Sequence, residues 1–362
     1  MATTEGGSAA VVRPGEVQVR RALLTVSDKR GLVDFARGLP RDVGPIGQRV
    51  ERVFEHFADV SGESGPRIAQ RIRDDRMAIL FDLNGYTRNA RPAIFALRPA
   101  PIQINAIGFQ ATLGTTWHDY ILTDRFSLPE PLQGFYTERP LYMPHMLYPS
   151  DTTRLPAGAP PSRAACGLPE HAFVFCCFNN TYKILPEVFA IWMRLLAAIP
   201  GSVLWLLETS AEAKQNLRQE AQRAGIDAQR LLFAPRVGVG EHVARNAAAD
   251  LFLDTYPYGA HTTANDALLA GLPLLTCVGE TLVSRIAGSQ LTAIGLPELV
   301  TASFAEYEAL ALKLATEPAL LKAYRERLAA NRRTSPLFDM ARYARDFEDA
   351  MQRIWTEYQA QT

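Results

Sequence analysis

From residue 164 onward the sequence alternates short apolar runs with helical stretches at a near-constant spacing, and this rhythm constrains the fold more than any other feature. The apolar runs fall at 173–178, 203–207, 231–234, 250–254 and 273–277. Stretches of helix formers fall between and after them, at 186–198, 211–224, 241–248, 262–270 and 281–293. A strand that is apolar throughout is buried on both faces, which calls for helices on both sides of a parallel sheet. Sheets of that kind bind ligands at the carboxyl ends of their strands. Residues 178–183, 235–242 and 258–266 are therefore expected on one rim.

The stretch 258–273, "YGAHTTANDALLAGLP", sets the chemistry expected of that rim. Thr262 and Thr263 stand where helix caps belong, and Gly271-Leu272-Pro273 ends the helix. A helix N-terminus offers unpaired N–H groups and partial positive charge, and so suits phosphate. His261, Thr262 and Thr263 would supply donors to a diphosphate. Asp266, one turn further on, would accept from ribose hydroxyls. In "NNTYKILP", Lys183 would set its ammonium against a phosphate leaving group, and "RVGVGEHVARN" adds His242 and Arg245. Taken singly, each is an ordinary solvated side chain or loop histidine; their convergence on one rim is what points to an anionic ligand.

The first half is less regular. Residues 1–18 read as a disordered tail, 22–26 as a strand followed by a turn and helix, and 41–76 as charged helix. "MAILFDLNGY" reads as a strand running into a turn at Asn84-Gly85. A Gly/Thr loop, "QATLGTTWHDY", precedes the apolar run "YILTD", and proline-rich connecting sequence fills 127–163. Only three or so strand candidates precede residue 150, where a complete Rossmann-like lobe needs around six. The last helix is expected over about 336–357.

Several function classes are disfavoured. Lysine plus arginine and aspartate plus glutamate number 38 each, which gives no electrostatic case for nucleic acid or an anionic membrane. No apolar stretch reaches bilayer length, and the first residues lack a signal-peptide core. The four cysteines have no zinc spacing, and Cys176 and Cys177 in "FVFCCF" read as small hydrophobes, in keeping with a reducing cytoplasm. There is no Walker-type loop, no GxGxxG after the first strand and no GxSxG elbow. With no Asp-x-Asp pair, no metal is expected, and phosphate charge would have to meet lysine, arginine and helix termini.

Four long segments carry a resemblance: "ILFDLNGYTRNARPAIFALRPAPIQ", "FNNTYKILPEVFAIWMRLLAAIPGSVLWLL", "HTTANDALLAGLPLLTCVGETLVSRIAGSQL" and "SPLFDMARYARDFEDAMQRIW". From about 47 to 357 the chain resembles the catalytic region of protein O-GlcNAc transferases. The resemblance implies an α/β fold of glycosyltransferase B type, with two Rossmann-like lobes. It also implies metal-independent, inverting transfer of N-acetylglucosamine from UDP-GlcNAc to Ser or Thr hydroxyls of an acceptor protein, with no cofactor. By motif, Lys183 takes the place of the lysine that stabilises departing UDP, and Asn180 that of a nucleotide-contacting glutamine. His261, Thr262 and Thr263 match the diphosphate turn, Asp266 the ribose carboxylate, and His242 and Arg245 positions around the uridine.

The front of the chain departs from this pattern. Residues 20–40 resemble instead the opening of the bifunctional purine-biosynthesis enzyme with IMP cyclohydrolase and formyltransferase activities. The expected organisation is a tail (1–18), a foreign segment (19–46), a truncated N-terminal lobe (47–160), a UDP-binding lobe (161–335) and a crossing helix (336–362). The family's Gly-Tyr-Pro-Gly-Thr turn is "GFQATLG" here, and alanine at a position needing positive φ would cost about 1 kcal/mol. Near that loop, Gly114 and His118 are candidates for the sugar and acceptor side. His118 is a candidate general base; its plainer reading is a surface loop histidine. A catalytically impaired UDP-binding remnant is the alternative to an active transferase, and a purine-pathway enzyme the third reading.

Overall fold

A computed structural model describes residues 22–25, 58, 60, 62–87, 90–154 and 159–361. The expectations for 1–18 and for most of 19–57 lie outside the described residues. The chain divides into two compact units: residues 1–122, 137–141 and 345–362 form one, and residues 123–136 and 142–344 the other.

The first sheet has five strands in the order β1-β2-β3-β4-β5. After β1 (Ala22–Thr25) come α1 (Gly65–Asp74), β2 (Ile79–Asp82), α2 (Pro92–Ala96), β3 (Ile102–Asn105), β4 (Tyr120–Asp124) and β5 (Arg139–Met143). β1, β2, β3 and β4 pair in parallel, with Ile79 opposite Ala22 on one side and Ile102 on the other. Buried Ile68 and Ile72 lie one turn apart on α1, and they pack with Leu80, Ile94, Phe95 and Ala100. Burying an isoleucine fully is worth roughly 2–3 kcal/mol, so this small cluster does much to hold α1 and α2 on the sheet.

The three-strand expectation is corrected to five, and both unforeseen strands have a physical reason. β3 carries Gln103 and Asn105, which read as loop residues beside Pro99 and Pro101. Both are buried, and their amide nitrogens are paired with backbone: Gln103 Nε2 donates to the Phe95 carbonyl (2.9 Å) and Asn105 Nδ2 to the Ala111 carbonyl (2.9 Å). β5 contains Pro140, which a central strand would not tolerate; β5 is the edge strand. It lies inside the stretch expected to be connecting sequence throughout.

The second sheet follows the sequence rhythm closely. Its elements are β6 (Val174–Cys177), α3 (Pro186–Ala198), β7 (Val203–Leu207), α4 (Ala211–Arg223), β8 (Leu231–Ala234), α5 (Val239–Arg245), β9 (Leu251–Leu253), α6 (Thr262–Ala270), β10 (Leu274–Cys277), α7 (Ile286–Ala293) and β11 (Val300–Thr301). α8 (Phe304–Thr316), α9 (Pro318–Asn331) and α10 (Met340–Gln361) complete the chain. Ser210 and Ser303 cap α4 and α8 by accepting from the N–H groups of Ala213 and Glu306. Gly271, at φ 85°, ends α6 where the sequence places its stop.

The order β11-β10-β9-β6-β7-β8 is all parallel. Numbered within this sheet it runs 3-2-1-4-5-6, the Rossmann order, with its reversal between β6 and β9. The apolar strands and the inner faces of α3, α6 and α8 share one continuous core. The crevice that such a reversal opens lies beyond the carboxyl ends of β6 and β9, which fixes where a ligand site belongs.

Candidate functional site at the strand reversal

Asp254, directly after β9, organises this crevice. It is 2% exposed and accepts four hydrogen bonds. They come from Asn179 Nδ2 (3.0 Å), the N–H groups of Thr255 (2.7 Å) and Ala260 (2.7 Å), and Thr276 Oγ1 (2.8 Å). Burial pushes its carboxyl pKa up, against the pull of those donors. A Cβ on Gly259 would stand 3.0 Å from Asp254 Oδ2, so glycine lets the 258–261 turn close over the carboxylate. Asn179 also donates to Thr255 Oγ1 and accepts from Thr263 Oγ1, tying the end of β6 to the start of α6.

The predicted residues assemble around this frame. Lys183 ends the 3-10 turn Thr181–Lys183 after β6, and its Nζ donates to the Gly259 carbonyl (2.9 Å). The same ammonium lies 3.7 Å from the centroid of the Tyr258 ring, which also stacks with exposed Tyr182. Asn180 is half-buried, and its carbonyl accepts from the Lys183 N–H (2.9 Å). His261 is buried, with Nε2 3.2 Å from the Val283 carbonyl oxygen and its ring edge-on to Tyr258.

The capping expectation is corrected. His261 itself is the N-cap residue, at φ −118° and ψ −90°, and it makes no side-chain cap; Thr262 and Thr263 are the first helical residues. The Thr263 hydroxyl is spent on Asn179 instead. Without a side-chain cap, the first-turn N–H groups point past the helix end, the geometry that suits an anion.

Asp266 lies one turn into α6 and is 4% exposed. Its carboxylate pairs with Arg154, Nη1 to Oδ1 at 3.0 Å and Nη2 to Oδ2 at 3.4 Å, while His242 Nε2 stands 4.0 Å from Oδ2. Burial raises the Asp266 pKa to about 6, with Arg154 opposing. Burial, helped by Arg245 and Arg154, lowers that of His242 to about 4, so the imidazole is neutral at pH 7. Arg245 is held inside the fold: Nη1 donates to the Pro235 carbonyl (2.6 Å), Nη2 meets His242 Nδ1 (2.7 Å), and the guanidinium covers the Phe178 ring. It orients His242, and both of its Nη atoms are already engaged.

Gly114 and His118 lie in the first unit. Gly114 has φ +63° with nothing within 4 Å of a built Cβ. The surface reading of His118 is corrected: it is 3% exposed, with Nε2 3.3 Å from Asp82 Oδ2, Nδ1 2.8 Å from Thr115 Oγ1, and its ring stacked on Phe95. Ala111 carries no strain, for the positive-φ non-glycine residues among those described are Arg76, Arg98 and Ile107. Buried Glu138 secures this loop by accepting from the Leu113 N–H (2.7 Å) and Thr112 Oγ1 (2.5 Å). Among the described residues no cluster of metal-ligating side chains occurs, and no helix is long and apolar enough to cross a membrane.

Sequence reasoning missed Arg154, Asn179 and Asp254. Asp254 was readable as a carboxylate closing an apolar run at a strand end. Arg154 had no local signal, since its partner lies 112 residues away.

Two parallel sheets, the second in Rossmann order with its site at the strand reversal, define the fold as that of a B-type glycosyltransferase. A mutant O-GlcNAc transferase of Thermobaculum terrenum superposes with a TM-score of 0.81 at 26% identity, covering 91% of this chain and 65% of that one. An Anabaena protein solved with UDP and glucose shares the fold (TM-score 0.57, 14% identity, 92% of this chain and 99% of that one). The chain belongs to glycosyl transferase family 41, whose model matches residues 28–157 and 159–347. The probable UDP-N-acetylglucosamine–peptide N-acetylglucosaminyltransferase SEC of Arabidopsis thaliana is 38% identical over 314 residues, 85% of this chain. The corresponding transferase of Caenorhabditis elegans is 30% identical over 418 residues, 84% of this chain. The chain spans about a third of the length of these curated relatives, 32% and 36%.

Proposed function

We propose that this chain transfers N-acetylglucosamine from UDP-GlcNAc to serine or threonine hydroxyls of an acceptor protein, with inversion and without a metal ion. The observation that carries the reading is the convergence of Lys183, the uncapped α6 N-terminus and Asp266 on the β6/β9 reversal. The names of the relatives support the donor and the peptide acceptor. In the reaction the acceptor oxygen bonds to the anomeric carbon as the bond to the UDP oxygen breaks, and the hydroxyl proton leaves to a base. Negative charge grows on the departing diphosphate. Lys183 and the α6 N–H groups meet it there, in the role a metal ion plays elsewhere, and such groups are worth about 10²–10³ in kcat each. Neutral His242, fixed by Arg245, serves as a hydrogen-bonding group beside the nucleoside. Four free cysteines fit action in a reducing cytoplasm.

The test is transfer of labelled N-acetylglucosamine from UDP-GlcNAc to a serine- and threonine-rich protein acceptor by the full chain. Label in the acceptor, released by β-elimination, supports the reading. UDP binding with no transfer by the chain, in the presence or absence of EDTA, contradicts it and leaves a binding module.

A further inference from the structure

Asp266 would meet the ribose diol under the reading above, yet both of its oxygens face the Arg154 guanidinium, at 3.0 and 3.4 Å. A buried carboxylate so engaged is not an open acceptor. A diol that takes it must displace a cation, and that cation needs a new anionic partner or it is left desolvated in the crevice. One is close at hand. Thr262 and Thr263 precede Asp266 by four and three residues, so they share its face of α6 one turn nearer the amino end. At about 1.5 Å rise per residue, the amino end of α6 lies about one turn, roughly 6 Å along the helix axis, from Asp266. An arginine covers that distance by rotating its side chain, and it grips a phosphate with the same fork it gives a carboxylate. Arg154 is partly exposed, which leaves it room to move. His242 cannot take this part, because Arg245 pins its ring from the other side.

We propose that Arg154 is a specificity-determining residue that exchanges partners: it holds Asp266 in the empty site and passes to the ligand's diphosphate when the diol takes the carboxylate. The consequence is discrimination. A nucleoside alone must break the Arg154–Asp266 pair with no replacement, whereas a nucleoside diphosphate supplies one. The proposal rests on the reading of Asp266 as the diol acceptor, and the experiment separates the two.

The full chain, as wild type and as Arg154→Ala, Arg154→Lys and Asp266→Asn, is titrated calorimetrically with UDP and with uridine. Arg154→Ala is expected to weaken UDP about tenfold or more while leaving uridine unchanged or tighter, and Arg154→Lys to restore part of the UDP affinity. Equal weakening of both ligands by Arg154→Ala, or no effect on either, overturns the proposal. If Asp266→Asn does not weaken uridine, or the wild type binds no UDP, the diol reading fails and the proposal with it. If Asp266→Asn weakens uridine but Arg154→Ala acts on both ligands alike, the partner exchange alone is overturned. Arg154→Gln, similar in length and uncharged, repeats the comparison should the alanine variant melt early.

Discussion

The Lys183 ammonium lies over the face of Tyr258, 3.7 Å from the ring centroid, while donating to the Gly259 carbonyl at 2.9 Å. Ring and carbonyl orient the charge, and neither carries a net charge that would cancel it. The Lys183→Met variant is therefore expected to lose about 10²–10³ in kcat, with UDP affinity falling less than about tenfold. Steady-state kinetics beside a UDP titration tests this; a loss confined to KM would show a role in donor binding alone.

Asp266 and His242 make opposite demands on pH. Asp266 rises from 3.8 to about 6 in the fold, and His242 falls from 6.5 to about 4. Between pH 4 and 6 the folded chain keeps a proton on Asp266 and none on His242, whereas the unfolded chain does the reverse. Their proton counts match, so the pair contributes little net pH dependence there. Removing either partner exposes the other. In Asp266→Asn, the unfolded state takes up a proton on His242 that the fold refuses, and stability falls as pH drops from about 6.5 to 4. In His242→Asn, the fold holds a proton on Asp266 that the unfolded chain releases, and stability falls as pH rises from about 3.8 to 6. Urea unfolding at several pH values reads the slopes, and slopes of the same sign in both variants would contradict the assignment.

The Asp254 hub predicts a stability effect separate from chemistry. Asp254→Ala strands donors from Asn179, Thr255, Ala260 and Thr276 in a buried setting, and should cost about 3 kcal/mol or more. Denaturant melts check this, and a cost below about 1 kcal/mol would mean that the turn does not depend on the carboxylate.

His118 is expected to act on the stability of its own unit. His118→Ala removes a ring stacked on Phe95 and leaves Asp82 and Thr115 without it, a loss of about 2–4 kcal/mol. Thermal unfolding measures this beside activity at low temperature. A folded, fully stable variant with abolished transfer would instead identify a general base.

The second sheet was legible because its strands are buried on both faces: each apolar run from 173 to 277 became a strand within a residue or two, and the switch-point rim followed from the alternation. β11 escaped because Val300–Thr301 is two residues long. β3 escaped because Gln103 and Asn105 look like loop residues until their backbone partners, eight and six residues away, are known. Lys183, His261 and Asp266 were legible as local signals at strand and helix ends. The pairs that give them their surroundings, Arg154 with Asp266 and Asn179 with Asp254, join residues 112 and 75 apart, and no local pattern announces a long-range pair. Arg245 illustrates the converse: the sequence offers it beside His242 as a rim residue, but only its contact with His242 and its packing on Phe178 show that it serves the histidine.

The central claim is that the β6/β9 reversal holds a nucleoside diphosphate, and its most direct test is a calorimetric titration of the full chain with UDP, beside His261→Ala. The account predicts one site with Kd on the order of micromolar, weakened in the variant as the turn leading into α6 loses its hold on the Val283 carbonyl. A folded chain that gives no binding heat at several temperatures, or binds UDP equally well without His261, would contradict it.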